Sequence, residues 1–273
     1  MKVKEFPKSL VRMIGLLLTP DSKLGANAVQ LGPEVIISLT TIEYRLPKLH
    51  LVIRSLLQQT VTFKKIVLWV NEDLQRSLPN SLNKLQSDRF EIRFSSGNSS
   101  HRKLVETLKV YPDEFIVTCD DDLMYPRDWL ERLLVEYAKH PHAIVAHMCR
   151  AFRFDNNGLL MPYKKWRSEE LGESSERTLA VGWGGILYPP GSLHEDVLNE
   201  SLYMQLAPKA DDLWFKAMAY KKGTPVFKSA QPNPEPIPIM LTQKFSLKKE
   251  NIDEDANRKQ WQRIAEHYGI TIK

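Results

Sequence analysis

Phe115-Ile116-Val117-Thr118-Cys119-Asp120-Asp121-Asp122 is the stretch of this sequence that determines the fold class. Residues favoured in strands run directly into three consecutive carboxylates, so an apolar strand is predicted to end in an acidic cluster. In open α/β sheets, ligands bind at the carboxyl ends of the strands. Three adjacent negative charges repel one another, so the cluster is costly unless a cation or hydrogen-bond donors compensate it. Ligation by oxygen alone suits Mg²⁺ or Mn²⁺. The alternative is an acidic turn that caps the next helix, although a cap needs only one aspartate.

Strand and helix patterns alternate around this stretch. Patterns typical of strands occur at residues 35–39, 65–70, 90–94 and 143–146, and helical patterns occur at 47–59, 129–139 and 211–220. This alternation predicts right-handed β-α-β units in an open, mainly parallel sheet flanked by helices. Beyond residue 150 the pattern loosens, which favours a smaller mixed subregion of loops and short antiparallel strands. We also expect an extended, proline-rich segment at 231–242 and a polar surface helix at 253–268.

The bulk composition is that of an ordinary globular protein. The chain has 273 residues, of which 42% are hydrophobic and 26% are charged. Its formal net charge of +5 suits several anionic partners, but the basic residues are dispersed along the chain, so we predict no nucleic-acid partner. Cys119 and Cys149 lie within or beside apolar runs. We therefore expect buried thiols rather than a disulfide, and a cytoplasmic location.

Residues 1–33 are predicted to form an extension before the sheet. Lys2, Lys4, Lys8 and Arg12 surround a short apolar segment, which is well below the roughly 20 residues that span a bilayer. Its apolar region is also short for a secretory signal. Two interpretations stay open. The segment is either a basic amphipathic helix in peripheral contact with the anionic inner face of the cytoplasmic membrane, or a helix packed on the back of its own domain.

Further polar residues are predicted to share the edge with the acidic cluster. Asp211-Asp212 opens a helical pattern, where a partly buried carboxylate could act as a general base. Aspartate is equally favoured there by capping and by the helix dipole. Arg45 and the pair Arg102-Lys103 belong to loops at the same edge and could face a diphosphate. The alternative for each basic residue is a solvated surface charge.

A glycine-rich turn contains Gly182, Trp183, Gly184 and Gly185. Glycines allow a close backbone approach to a ligand, and the tryptophan could stack on a sugar ring, although such turns are common. The seven histidines form no metal-binding motif. His147, at the end of a predicted strand, is the one histidine that we retain as a reserve metal ligand. The sequence lacks the glycine signatures of P-loop and Rossmann dinucleotide sites, which disfavours both.

Together these motifs resemble the GT-A glycosyltransferases, above all the family-2-like and exostosin-like enzymes of bacterial capsule and lipopolysaccharide synthesis. The resemblance covers roughly residues 34–222. The triple aspartate followed by Tyr125-Pro126 resembles the DxD motif of these enzymes. Asp211-Asp212 resembles their helix-opening acidic pair, whose second member is the usual base. The segments 36–41, 55–60 and 65–69 resemble the opening of the same domain.

The resemblance implies an inverting hexosyltransferase that uses Mn²⁺ or Mg²⁺. The donor would be a nucleotide-sugar, expected to be a UDP-sugar, and the acceptor a saccharide or glycolipid. Asp122 and Asp120 would hold the cation, and Asp212, or failing it Asp211, would be the base. The expected donor-binding residues are Thr40, Arg45, Asn71, Glu72, Arg102, Lys103, Asp120 and Asp121, and the expected acceptor-binding residues are Trp183, Gly184 and Gly185. No histidine after Asp212 suits a third metal ligand.

The implied organisation is one glycosyltransferase domain at residues 34–245, with a donor half at 34–150 and an acceptor half at 151–245. A C-terminal helical tail would follow at 246–273. One alternative is a nucleotidyltransferase acting on sugar phosphates, but residues 39–45 lack the glycine-rich basic signature of that class. The other is a non-catalytic carbohydrate-binding protein, which the presence of both acidic clusters disfavours.

Overall fold

The strands and helices follow the alternating order that the sequence predicts. The structure, a computed structural model, describes residues 6–231, 235–242 and 254–272. The strands are β1 Val35–Thr40, β2 Lys65–Asn71, β3 Phe90–Ser95, β4 Phe115–Thr118, β5 Leu123–Met124, β6 Ile144–Ala146, β7 Cys149–Ala151, β8 Arg167–Ser168, β9 Thr178–Ala180, β10 Ile186–Tyr188, β11 Val226–Lys228 and β12 Ile237–Pro238. The helices are α1 Phe6–Leu18, α2 Leu46–Leu57, α3 Asn80–Asn83, α4 Arg102–Val110, α5 Trp129–Lys139, α6 Glu200–Leu206, α7 Asp211–Lys222 and α8 Ala256–Tyr268.

Parts of three predicted segments lie outside the described residues. They are residues 1–5 of the N-terminal extension, 232–234 of the extended segment, and 243–253 and 273 near the C-terminal end.

The central sheet has seven strands in the order β11-β6-β10-β4-β1-β2-β3. Strand β10 runs antiparallel to β4 and β6, and the other neighbours are parallel. This confirms the predicted open, mainly parallel sheet with a mixed subregion. Because β10 is antiparallel, its first residue, Ile186, pairs with the last residue of β4, Thr118. The turn that precedes β10 therefore lies beside the acidic cluster that follows β4.

Alternating strand residues point to opposite faces of the sheet, and helices cover both faces. Ile36 and Ile37 are both fully buried but belong to different hydrophobic clusters. On one face, α2 contributes Leu49, Val52 and Ile53 to the larger cluster. Burial on both faces explains why the strands read as continuous apolar runs in the sequence. Each such side chain contributes roughly 1.5–3 kcal/mol relative to an exposed one.

A short segment, residues 235–242, crosses the mouth of the sheet next to the acidic cluster, and we call it the strap. Its strand β12 pairs antiparallel with β5, and the Ile239 amide donates to the Asp122 carbonyl at 2.9 Å. Tyr44 and Lys48 donate to strap carbonyls at 2.9 and 2.7 Å. These bonds hold the strap against the loop after β1 and the start of α2, because two consecutive carbonyls of the strap each accept a hydrogen bond.

Two further predictions are also resolved by the structure. Cys119 and Cys149 are both buried and free, as expected. The predicted C-terminal helix is present as α8, which contacts α6 and α7 and buries Trp261 and Ile264 in the second hydrophobic cluster. This helix is therefore anchored to the half of the molecule that follows residue 150.

Candidate active site

A cavity of about 590 Å³ opens at the carboxyl edge of the sheet. The sequence-predicted residues that line it are Thr40, Arg45, Arg102, Lys103, Asp120, Asp121, Asp122, Trp183, Asp211 and Asp212. They come from the loops after β1 and β4, from the first turns of α4 and α7, and from the turn before β10. Both acidic motifs thus face one space, as expected where parallel strands end together.

The triple aspartate is held by groups from the loop after β1. Arg45 forms ion pairs with Asp121 and Asp122, the latter at 3.0 Å, and the Thr41 hydroxyl donates to Asp121 at 2.6 Å. Burial nevertheless raises the pKa of Asp121, because it outweighs the opposing effect of Arg45. Burial together with the neighbouring aspartates raises the pKa of Asp122 to about 7. One arginine therefore does not neutralise the cluster.

Lys103 connects the two acidic motifs. Its ammonium lies 3.1 Å from Asp120 and 3.0 Å from Asp211, and its side chain is only 6% exposed. Burial alone would lower the pKa of Lys103, but the two carboxylates outweigh it and raise the pKa well above its usual value. The lysine is therefore charged at neutral pH and is the counter-ion common to both motifs.

The pKa values of the two aspartates in the first turn of α7, Asp211 and Asp212, are shifted in opposite directions. The Gly182 amide donates to both carboxylate oxygens of Asp212, at 3.1 and 3.2 Å. Burial and the adjacent Asp211 still raise the pKa of Asp212 to about 7. Burial would also raise the pKa of Asp211, but its contact with Lys103 dominates and lowers it. Such a separation of neighbouring carboxylates is typical of acid-base sites.

Gly182 lies where the groups of the site converge. A Cβ atom at this position would lie 2.8 Å from the Lys103 ammonium, 3.1 Å from an Asp212 oxygen and 3.7 Å from an Asp120 oxygen. Any side chain here would displace the lysine from its carboxylates. The requirement at Gly182 is therefore for space rather than for an unusual backbone conformation.

Arg102 lines the cavity and has one buried guanidinium nitrogen without a hydrogen-bond partner in the described part of the structure. The residue is 2% exposed; its Nε donates to the Ser99 carbonyl at 3.4 Å and its Nη2 to the Thr41 carbonyl at 3.3 Å. Its Nη1 has no hydrogen-bond partner within the described chain. A buried guanidinium nitrogen without a partner is costly, and an anionic oxygen would satisfy it.

Four predicted binding residues do not line the cavity. The Asn71 amide donates to the Ser96 and Gly97 carbonyls, and its oxygen accepts from the Asp73 amide, so it holds the loop after β3. Glu72 is exposed in the turn after β2. The other two are Gly184 and Gly185, which follow Trp183 and pack against Trp129.

The carbonyl of Gly184 accepts from the Trp129 indole at 2.7 Å, and Gly185 has φ of 102°. A Cβ atom at Gly185 would lie 2.5 Å from the same indole ring, so packing requires glycine there. His147, the reserve ligand, is buried with its Nε2 2.9 Å from the Trp129 carbonyl, outside the cavity lining. Its surroundings are those of a core histidine.

Other cavity residues were not singled out from the sequence. They are Thr41, Ile42, Asn98, Ser99, Ser100, Cys119, Leu123, Val181, Pro236, Pro238 and Asn257, whereas Gly182 belongs to the glycine-rich turn that the sequence indicated. The loop residues Asn98 to Ser100 could have been found, because they follow a predicted parallel strand and precede Arg102. Asn257 comes from α8 and the prolines from the strap, and no local signal links these segments to the site.

The chemistry of the lining suits a divalent cation. Five aspartates and three basic side chains, Arg45, Arg102 and Lys103, line the cavity, so the carboxyl groups outnumber the basic groups. The carboxylates are hard oxygen ligands of the kind that Mg²⁺ and Mn²⁺ prefer. Among the described residues, no group of three or more His, Cys, Asp or Glu side chains could hold a metal by itself.

The chain was compared with solved structures, with curated proteins and with family profiles. Two solved structures of 4-diphosphocytidyl-2C-methyl-D-erythritol synthases are similar to this chain. One, from Anaerococcus prevotii DSM 20548, has 11% identity and a TM-score of 0.49, and the match covers 87% of this chain and 98% of that one. The other has 13% identity and a TM-score of 0.45, with coverage of 85% and 98%. Among curated proteins, none matches this chain.

The sequence profile of glycosyl transferase family 2 matches residues 37–193. This range begins in β1, includes the triple aspartate and extends beyond β10. It accounts for more than half of the chain, and the protein therefore belongs to glycosyl transferase family 2.

Proposed function

We propose that this protein is an inverting, metal-dependent glycosyltransferase that moves a sugar from a nucleoside-diphosphate donor, a UDP-sugar, to a hydroxyl of a saccharide or lipid-linked acceptor. The observation that carries the proposal is that Asp120–Asp122 and Asp212 face a single cavity. Asp120–Asp122 would then hold the cation that stabilises the departing diphosphate, and Asp212 would accept the proton of the attacking hydroxyl. The family match supports sugar transfer as the reaction class. Synthesis of bacterial surface polysaccharide is the setting that we propose for it.

Asp122 and Asp120 are the residues that would hold the cation. Asp120 is the more accessible of the two, with a third of its side chain exposed, and Asp122 retains 12% exposure beside Arg45. A bound Mg²⁺ or Mn²⁺ supplies Lewis-acid stabilisation of the charge on the leaving diphosphate. The chain's own cations act on the same charge, because Lys103 and Arg45 are already positioned by buried carboxylates.

Arg102 is the residue that we assign to a donor phosphate. Its unpaired Nη1 and its low exposure provide a preorganised donor. The serines that precede α4 lie in the same part of the lining. Donor binding would thus satisfy a polar group that the chain itself leaves without a hydrogen bond.

Asp212 is the residue that we assign to proton removal from the acceptor. The two bonds from Gly182 orient its carboxylate, and its raised pKa suits proton transfer near neutral pH. Removal of the proton makes the acceptor oxygen a stronger nucleophile. Its in-line attack on the anomeric carbon then inverts that centre. Trp183 is half-buried in the cavity wall next to Gly182, where its ring can pack on the acceptor sugar.

The proposal predicts that Asp122→Asn abolishes the effect of Mn²⁺ on donor affinity. A carboxamide is a poorer cation ligand than a carboxylate, so we expect the Kd of UDP-sugar in Mn²⁺ to rise by about 100-fold, the upper end of the cost of changes around metal sites. Isothermal titration calorimetry with a panel of nucleotide-sugars, with and without Mn²⁺, measures this. Asp88→Asn, an exposed aspartate before β3, is the matched control and should bind as the wild type does.

An Asp122→Asn variant with wild-type donor affinity in Mn²⁺ would refute the metal assignment. The reaction class is tested by product analysis with the wild-type protein. Release of free nucleoside diphosphate indicates glycosyl transfer, whereas release of inorganic pyrophosphate from a nucleoside triphosphate and a sugar phosphate indicates nucleotidyl transfer. The second outcome would overturn the proposal.

The activity is predicted to depend on pH through Asp212. This carboxyl must be deprotonated to accept a proton, and its pKa is raised to about 7. The value of kcat should therefore fall about tenfold per pH unit below that pKa and level off above it. A pH profile of kcat at saturating donor and Mn²⁺ measures the acidic limb. A profile without a limb between pH 5 and 8 would mean that another group is the base.

A further inference from the structure

Helix α1 exposes an apolar face. Its exposed large side chains are Phe6, Leu10, Val11, Ile14, Leu17 and Leu18. These positions recur every three or four residues, so they form one continuous stripe. Val11 is 71% and Leu18 is 77% exposed, whereas only Ser9 and Leu16 of the helix are buried. Exposed apolar stripes of this kind mark interaction surfaces.

The sequence left two interpretations of this segment open, and the structure shows that the helix packs on its own domain without using its apolar stripe. The Ser9 hydroxyl donates to the Pro238 carbonyl at 2.8 Å, and Arg12 donates to the Tyr125 carbonyl at 3.1 Å. At the other end, Arg54 donates to the Leu16 carbonyl at 2.8 Å. Polar contacts at both ends thus fix the helix with the stripe facing outwards.

The charged residues of the helix itself, Lys8 and Arg12, are both basic, and Asp21, which follows the helix, pairs with Arg54. No acidic residue occurs between residues 6 and 20, and Lys8 is exposed on the helix. Burial lowers the pKa of Arg12, and so does the nearby exposed Arg127, which indicates that these two positive charges lie close together. A surface that combines an apolar stripe with positive charges is complementary to anionic lipid headgroups.

The helix is suited to lie on a bilayer rather than cross it. It contains 13 residues, and no helix in the described ranges is long and apolar enough to span a membrane. The helix packs against β12, which pairs with β5, and these two strands contribute Pro238 and Leu123 to the cavity wall. A lipid surface at α1 would therefore be separated from the candidate active site by a single two-stranded sheet.

We propose that α1 docks the protein on an anionic lipid surface. Its apolar stripe would lie at the boundary between the headgroups and the acyl chains, and its basic residues would lie at the phosphates. The docking goes beyond the proposed transfer reaction and does not depend on it. The helix lies next to β12, whose Pro238 lines the cavity, so docking would bring the candidate active site close to the lipid surface.

The test is co-sedimentation of the full chain with lipid vesicles. Wild-type protein should bind vesicles of phosphatidylglycerol and phosphatidylcholine, bind pure phosphatidylcholine vesicles much more weakly, and lose affinity at high salt. Val11→Asn with Leu18→Asn should lower the partition coefficient by about tenfold or more, because both side chains leave the apolar phase. Lys8→Glu should weaken binding to the anionic vesicles alone.

The matched control is Leu159→Asn with Leu171→Asn, two exposed leucines outside α1, which should bind as the wild type does. Asp122→Asn should also bind normally, so a failure of the transfer proposal leaves this test intact. Absence of vesicle binding, equal binding to both lipid mixtures, or unchanged binding of the Val11/Leu18 variant would overturn the proposal. So would a dimer in analytical ultracentrifugation that this variant dissociates, since a second copy would then cover the stripe.

Discussion

Replacing Asp212 with asparagine is expected to lower kcat by about two to four orders of magnitude, the usual contribution of a positioned general base. An amide cannot accept the acceptor proton, yet it has nearly the same shape and one oxygen to accept from the Gly182 amide. The Kd of the nucleotide-sugar should therefore stay near that of the wild type. Initial rates with saturating donor and acceptor, together with calorimetry of donor binding, separate the two effects.

Asp113→Asn is the control for this prediction, because Asp113 is exposed just before β4, at the opposite edge of the sheet. The control should retain wild-type kcat. If Asp212→Asn stays active while Asp211→Asn does not, the two aspartates have the reverse of the roles assigned here. If donor affinity falls together with kcat, Asp212 acts on the donor rather than on the acceptor.

The Lys103→Met substitution is expected to lower the free energy of unfolding by about 3 kcal/mol, near the lower end of the range for breaking a buried ion pair. Methionine preserves the apolar stem but leaves Asp211, 13% exposed, without its cation. The cost stays near the lower limit because Asp120 is one-third exposed and water can solvate it. Urea unfolding followed by circular dichroism measures the midpoint and the slope.

Lys109→Met on the same helix is the matched control. Lys109 pairs with Glu106 at 2.8 Å and is 38% exposed, so its loss should cost less than about 1 kcal/mol. Equal effects of the two substitutions would mean that Lys103 adds nothing beyond a surface ion pair. In that case Asp120 and Asp211 would be stabilised by solvent rather than by the lysine.

The sheet and most of the cavity could be predicted from local sequence patterns. Buried parallel strands appear as continuous apolar runs, and polar residues directly after them must lie at the carboxyl edge. That rule correctly places Asp120, Asp122, Arg45 and Lys103 in one cavity. The same rule placed Asn71 at the edge, but its amide bonds hold the loop after β3. An edge position brings a residue near the site without deciding whether its polar atoms are available to a ligand.

Contacts between distant segments could not be predicted. The strap reaches the loop after β1 across almost 200 residues, through Tyr44 and Lys48. Asn257 enters the cavity from α8, a helix that reads in the sequence as a polar surface element. These placements depend on how helices and loops pack after the sheet has formed. Local hydrophobic periodicity contains no information about such packing.

The sequence alone determined the α/β class, the order of the strands along the chain and the presence of two acidic motifs at helix and strand ends. These properties are local, since each follows from side-chain periodicity within one element. Only the tertiary structure decided how the charges are shared: Arg45 pairs with Asp121 and Asp122, and Lys103 with Asp120 and Asp211. The pKa of Asp212 was decided there too, because burial and neighbouring charges exist only after distant segments of the chain come together.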